Sequence, residues 1–257
     1  MPEDIIESYT KNGFAIVKNI VPAQRINSLL ENIFNLFCKY STDCQELKNI
    51  IKINKKPLLY YTINASLKSK LVTRTIVSTD YEKISKIAKS LGAEVIKRPK
   101  KLANDHIALE PSISQILDHL KKTENYKPDI ILILQNTSPL RNSKHVDEAL
   151  TLLKKRNYDS ILSGFSYYTF LWKKGKDSRV KPLNYDPKKR PNHQKMDEQL
   201  YENGALFATT YNAFKKSCCR ISGRIGFYKM PIELSYNIDT LDDLKDVKRI
   251  MKTLEKL

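Results

Sequence analysis

DIILILQNTSPLRN, Asp129 to Asn142, is the stretch whose reading decides the fold. From Asp129 to Leu134 it runs through five consecutive apolar residues, as a strand buried on both faces does; a strand with one wet face would alternate. The chain then enters Gln135, Asn136, Thr137 and Ser138, all polar and all uncharged. In sheets of parallel strands covered by helices, ligands sit beyond the carboxyl ends of the strands. These four side chains are therefore the first candidates for a binding site. A competing local reading makes Ser138 the N-cap of a helix opening at Pro139.

Working outward, strand-like runs alternate with amphipathic helical patterns. RTIVST (Arg74 to Thr79) precedes a helix over Tyr81 to Leu91, and Ala93 to Ile96 forms a short strand. Ile113, Ile116, Leu117 and Leu120 fall at helical spacing within Pro111 to Lys122; a helix from Lys144 to Lys155 leads to YDSILS (Tyr158 to Ser163). GALFAT (Gly204 to Thr209), IGFYKM (Ile225 to Met230) and a helix from Leu241 to Leu257 complete the pattern. The expected class is α/β, a Rossmann-like fold with a mostly parallel mixed sheet and helices on both faces. Residues 164–200 interrupt it with a basic, proline-containing segment, too long for an ordinary connection, which reads as an arm that packs on a partner or closes over a site. Residues 1–46 lack this rhythm: GFAIVKNIV (Gly13 to Val21) reads as a strand and Ala23 to Phe37 as a helix, forming an appendage of different origin from residues 47–257.

A composition of 41% hydrophobic and 28% charged residues belongs to a globular protein rather than a disordered or fibrous one. There is no run of 18 apolar residues and no apolar signal core at the N-terminus, so neither a membrane span nor export is expected; the cytoplasm is the default. The formal charge of +17 arises from 45 basic residues, mostly lysines scattered along the chain. A nucleic-acid groove would cluster arginine with aromatics; the lysine surface instead draws in small anionic substrates. Cys38, Cys44, Cys218 and Cys219 show no metal-type spacing. They read as reduced thiols, with Cys218 and Cys219 buried at a helix end.

Seven segments in order carry a family resemblance: VSTD (Val77 to Asp80), LGAEVIKRPKKLANDH (Leu91 to His106), LQNTSPLRNSKHVDEAL (Leu134 to Leu150), YDSILS, PLNYDPKKRP (Pro182 to Pro191), QLYENGALFAT (Gln199 to Thr209) and NIDTLDDL (Asn237 to Leu244). Together they resemble the acylneuraminate cytidylyltransferases, or CMP-sialic acid synthetases, from about Leu47 to Leu257. The resemblance implies a nucleotidyltransferase fold, a homodimer, and Mg2+-dependent transfer of CMP from CTP to a nine-carbon keto-sugar acid such as sialic acid, releasing pyrophosphate. It places Gln135 against the acidic sugar with Thr137 and Ser138 beside it. It also puts Asn49 and Arg98 at the nucleotide and Asp239 at the metal. An amide suits a hydroxyl-rich sugar because it donates and accepts, and a hard carboxylate oxygen suits Mg2+.

Three departures matter. The family opens with a strand and a Gly-rich phosphate loop of the form A-R-G-G-S-K-G; counted back without a gap, that loop falls on CKYSTDCQE (Cys38 to Glu46), which has no glycine and places Asp43 where the lysine belongs. An acid facing a triphosphate repels it, so Lys39 or Lys48 would have to approach the phosphates instead. The family's R-R-Q after K-R-P becomes Asn192, His193 and Gln194. Gln194 stays a substrate-binding candidate and His193 a catalytic candidate, without the bidentate fork of an arginine. Asn237 replaces the first of two metal-site acids, leaving Asp239. The first 46 residues, through YTKNGFAIVKNIV (Tyr9 to Val21), resemble the start of phytanoyl-CoA dioxygenase-like proteins, but they contain no histidine, so iron chemistry is not expected.

Two readings stay open: an impaired cytidylyltransferase, and a non-catalytic relative that binds sugar or nucleotide or serves as a scaffold. An enzyme for an eight-carbon keto-sugar acid is disfavoured by PLNYDPKKRP and YENGALF.

Overall fold

A computed structural model describes residues 50–103, 107–192, 194 and 196–254, all within one compact unit, Gln45–Leu257. The strand and helix expected over residues 13–37, the loop over 38–46, Asn49 and His193 lie outside the described residues.

The elements follow the apolar pattern closely. A short hairpin, β1 (Lys52–Ile53) and β2 (Lys56–Pro57), turns on Asn54 and Lys55, both at positive φ. Helix α1 (Leu58–Leu67) leads to β3 (Ile76–Thr79), α2 (Glu82–Ser90), β4 (Glu94–Lys97) and α3 (Glu110–Glu124). Then come β5 (Ile130–Leu134), α4 (Ser143–Lys155), β6 (Ser160–Tyr167), β7 (Trp172–Lys174) and β8 (Val180–Pro182). The long β9 (Gln199–Thr210), α5 (Tyr211–Ser217), β10 (Ile225–Lys229) and α6 (Leu241–Leu254) finish the unit.

The main sheet has the order β10-β6-β9-β5. β10 runs parallel to β6, while β9 is antiparallel to both β6 and β5, so β5, β6 and β10 share one direction and β9 alone opposes them. β3 and β4 pair in parallel as a sheet of their own. The mixed α/β architecture agrees with the sequence reading, although GALFAT gives no sign that its strand runs backwards.

Strand β5 shows why its sequence is continuously apolar. Ile130, Leu132 and Leu134 pack with Val146, Leu150 and Leu153 of α4, while Ile131 and Ile133 pack on the opposite face with Ile113 and Leu117 of α3 and Phe214 of α5. Two-sided burial removes the need for alternation. Each fully buried aliphatic or aromatic side chain here contributes about 1.5–3 kcal/mol. Two further clusters join α1 to α2, β3 and β4 through Leu59, Ile63, Ile84, Ala88 and Val77, and to α6 through Leu58, Val247 and Met251.

Two local expectations change. Ser138 is not a helix cap: α4 begins later, on Asn142, whose side chain accepts from the His145 amide while His145 Nδ1 accepts from the Asn142 amide. That reciprocal box satisfies two otherwise orphaned donors, which Ser138 could not reach. Cys218 is exposed and Cys219 partly so, rather than buried, because α5 closes with Cys218 in the left-handed region (φ 51) and the chain turns outward there. Within the described residues of 164–200, β6 extends to Tyr167, β9 starts at Gln199, and β7 and β8 form an antiparallel hairpin between them.

Candidate functional site

The carboxyl end of β5 meets a break in the β6–β9 ladder. Leu162 pairs with Phe207 and Gly164 with Glu202, so Ser163 alone faces Asn203 to Leu206. Side chains replace the missing ladder bonds: Ser163 Oγ accepts from the Leu206 amide at 2.9 Å and donates to Asn203 Oδ1 at 2.7 Å, and that oxygen also accepts from the Ala205 amide. The Asn203 amide group donates to Ser235 Oγ at 3.0 Å. Asn203, Ser163 and Ser235 are all buried, and their mutual bonds offset the cost of burying them.

This bulge shapes the surface against Gln135. Gly204 sits at φ +67, and a Cβ built there would lie 2.7 Å from Gln135 Oε1. Glycine is needed twice, for the left-handed backbone and for the close approach of the amide. Below, Arg141 is buried to 2% exposure. Its Nε donates to the Ala205 carbonyl at 3.1 Å, and its Nη2 to the Gln135 carbonyl and to Thr62 Oγ1, both at 3.0 Å. Nη1 has no hydrogen-bond partner among the described residues. Burial pushes the Arg141 guanidinium down to about 10; nearby His145 is also held below its usual range, first by burial.

The rest of the strand-end loop is tied to the last helix. The Ile238 amide donates to the Thr137 carbonyl at 2.8 Å. Ser138, 2% exposed, donates to Asn237 Oδ1 at 3.3 Å, and Asn237 Nδ2 donates to Asp239 Oδ2 at 3.0 Å. Asp239 is exposed. The N-cap of α6 is Thr240, whose amide donates to Asp243 Oδ2 while its hydroxyl accepts from the Asp243 amide. The Asp239 carboxylate lies just before this cap and accepts from Asn237. That carboxylate is a hard-oxygen donor, and a single carboxylate fits Mg2+, which keeps several waters and takes phosphate oxygens.

The structure thus brings Gln135, Thr137, Ser138 and Asp239 into one connected loop pair. Arg98 belongs to a different strand end: its Nη2 donates to the Ser78 carbonyl at 2.6 Å and its amide to the Thr79 carbonyl at 3.0 Å. Gln194 is exposed. Sequence reasoning missed Arg141, Thr62, Asn203 and Gly204. Only Asn203-Gly204 carried a signal, since an Asn-Gly pair inside a strand pattern marks a bulge or turn.

A family model described as cytidylyltransferase matches residues 46–256. N-acylneuraminate cytidylyltransferase A of Danio rerio is 33% identical over 198 residues, which is 75% of this chain and 44% of that protein. N-acylneuraminate cytidylyltransferase of Streptococcus agalactiae serotype V is 26% identical over 204 residues, covering 76% and 47%. The chain spans about half the length of the curated relatives it matches. Among solved structures, CMP:2-keto-3-deoxy-manno-octonic acid synthetase complexed with CTP superposes with a TM-score of 0.57 at 16% identity, covering 80% of this chain and 92% of that one. 4-Diphosphocytidyl-2C-methyl-D-erythritol synthase gives 0.59 at 10%, covering 80% and 95%. At such identities these two show the fold alone.

Proposed function

Because this chain belongs to the cytidylyltransferase family, we propose that it binds CTP and a nine-carbon keto-sugar acid and transfers CMP between them only slowly. The observation that carries the sugar half of this reading is the Gln135 amide seated against Gly204 at the end of β5. There it presents a donor and an acceptor to a polyhydroxylated acid. Thr137 and Gln194 join it at the sugar, and buried Ser138 positions the loop through Asn237. Arg98 and Asn49 serve the nucleotide, and His193 is the candidate proton acceptor for the attacking hydroxyl. Asp239 would hold Mg2+, which would neutralise phosphate charge as pyrophosphate departs. The named relatives act, by their names, on N-acylneuraminate, which supports the sugar class.

In the reaction the anomeric oxygen of the sugar attacks the α-phosphorus of CTP in line, an O–P bond forms, the bond to pyrophosphate breaks, and the hydroxyl proton leaves to a base. The residues of this chain mostly hold the reactants in place, and such positioning is where most of the rate comes from in phosphoryl transfer. Impairment is read from the sequence of Cys38 to Glu46, where glycines and a lysine would grip the triphosphate and Asp43 stands instead. Loss of one well-placed donor costs about 100-fold, and here the whole set is replaced.

A homodimer held by the arm completes the proposal. Tyr168, Leu171, Trp172, Leu183, Leu200 and Tyr201, in or next to the arm, are each exposed by 42–59%, and exposed apolar side chains of this size suit a protein–protein contact.

The test uses purified protein, CTP, Mg2+ and N-acetylneuraminate, with pyrophosphate release as the readout. Turnover well below about 1 per second is expected, and a rate in the ordinary enzyme range of roughly 1–1000 per second would refute the impairment. Calorimetric titration with CTP and with the sugar acid then separates the two readings. Binding of both with no release at all favours the non-catalytic relative, which the replaced loop also supports.

A further inference from the structure

We infer that Arg141 is the positioning residue of the sugar-acid site, clamping the carbonyl of Gln135 to Ala205 and Thr62 so that the Gln135 amide is fixed before substrate arrives. The inference rests on the reading of Gln135 as a sugar contact.

Three acceptors on three elements meet at one guanidinium. Thr62 comes from α1, Gln135 from the end of β5 and Ala205 from β9, at 3.0, 3.0 and 3.1 Å. Thr62 Oγ1 also lies 3.5 Å from the Gln135 carbonyl. The clamp thus grips the backbone of Gln135 and the residue following Gly204, the glycine on which its side chain rests. Both sides of the amide are held by one rigid group.

Stability alone does not account for it. Among the described residues no carboxylate pairs with Arg141, and one nitrogen is unpartnered. A buried cation with no counter-charge is costly, and an apolar side chain of similar volume often replaces buried charge without loss. Only arginine, however, offers a planar fork that reaches several acceptors in fixed directions; lysine carries the same charge on a single flexible point. The chain accepts the burial cost at a place where a strand end, a bulge and a helix are aligned around a polar side chain.

The experiment compares wild type, Arg141→Lys and Thr62→Val as full-length protein. Calorimetry gives the affinity for N-acetylneuraminate and, separately, for CTP with Mg2+, thermal melts report the fold, and 1H–15N spectra follow the side-chain amide of Gln135. The expected result is a sugar-acid affinity lower by about 10-fold or more in Arg141→Lys, CTP affinity unchanged, and a shifted or broadened Gln135 amide signal in both variants. Unchanged sugar affinity together with an unmoved amide signal would overturn the inference, as would equal losses for both ligands, which signify general loosening. If Arg141→Lys does not fold, Thr62→Val decides on the same readouts. If wild type itself does not take the sugar acid, the reading of Gln135 fails, while the amide signal still shows whether Arg141 fixes it.

Discussion

Gly204→Ala is the perturbation that best separates backbone from side-chain effects at this site. Gly204 lies at φ +67, where an L-residue costs about 1–2 kcal/mol; alanine recovers part of that, about 0.4–1 kcal/mol, by restricting the unfolded chain. The new Cβ would sit 2.7 Å from Gln135 Oε1, too close for two heavy atoms. The obstacle is the tip of a flexible side chain, so Gln135 yields by leaving its rotamer, at about 0.5–1.5 kcal/mol. The sum is roughly 2 kcal/mol, and for a unit of this size each kcal/mol lowers Tm by about 2–4 °C. Calorimetry should therefore show a drop of about 4–8 °C. Combining Gly204→Ala with Gln135→Ala removes the obstacle and keeps the backbone cost, so the double variant should lose less than the two singles added together. A Gly204→Ala protein melting within about 1 °C of wild type, or a strictly additive double variant, would refute the reasoning. Sugar-acid affinity should fall in Gly204→Ala whatever the melt, because the amide is what moves.

Asp147→Asn should destabilise the unit by about 1–3 kcal/mol at neutral pH, read by urea melts. Burial alone would raise the Asp147 carboxyl, but hydrogen bonds from Ser69 and from the Lys70 and Leu71 amides more than offset it and hold the carboxyl below its ordinary range. That stability is present above the unfolded value of about 3.9 and is lost as pH falls through it toward the folded value; Asp147→Asn should therefore show the smaller acid loss, and parallel pH curves would contradict this. Asn237→Asp puts a second carboxylate beside Asp239 and should tighten Mg2+ in the presence of CTP by several-fold, checked by calorimetry, with unchanged affinity counting against Asp239 as a metal donor. Leu183→Asp, at a residue 59% exposed, should leave the melt within about 0.5 kcal/mol of wild type and shift sedimentation from dimer toward monomer.

What could be read in the sequence was what periodicity encodes. The apolar run of β5 announced two-sided burial, and Ile113, Leu117 and Leu120 announced the buried face of α3. Antiparallel β9 was not legible, because strand direction depends on partners far away in sequence and its apolar run would serve either direction. Gln135 could be singled out from its place after a buried strand. Arg141 could not: charge predicts a surface, and only the meeting of Thr62, Gln135 and Ala205 supplies acceptors that bring a guanidinium inside. The change at Ser138 has the same root, since Asn142 and His145 compete for the same helix start and satisfy it more completely.

These details divide the site by how its parts are held. The part proposed to face the sugar is built from bonds within the unit: the Ser163–Asn203 substitution of the ladder, the Arg141 clamp, and the chain from Ser138 through Asn237 to Asp239. None of these bonds needs a phosphate loop for its integrity. Under the proposed function, the surface around Gln135 keeps its order through these bonds among residues 62–239. Affinity for the sugar acid and turnover should then be separable in this chain: changes at Gln135, Gly204 or Arg141 govern the first, and a glycine- and lysine-containing loop grafted over Cys38 to Glu46 would raise the second while leaving the first as it was.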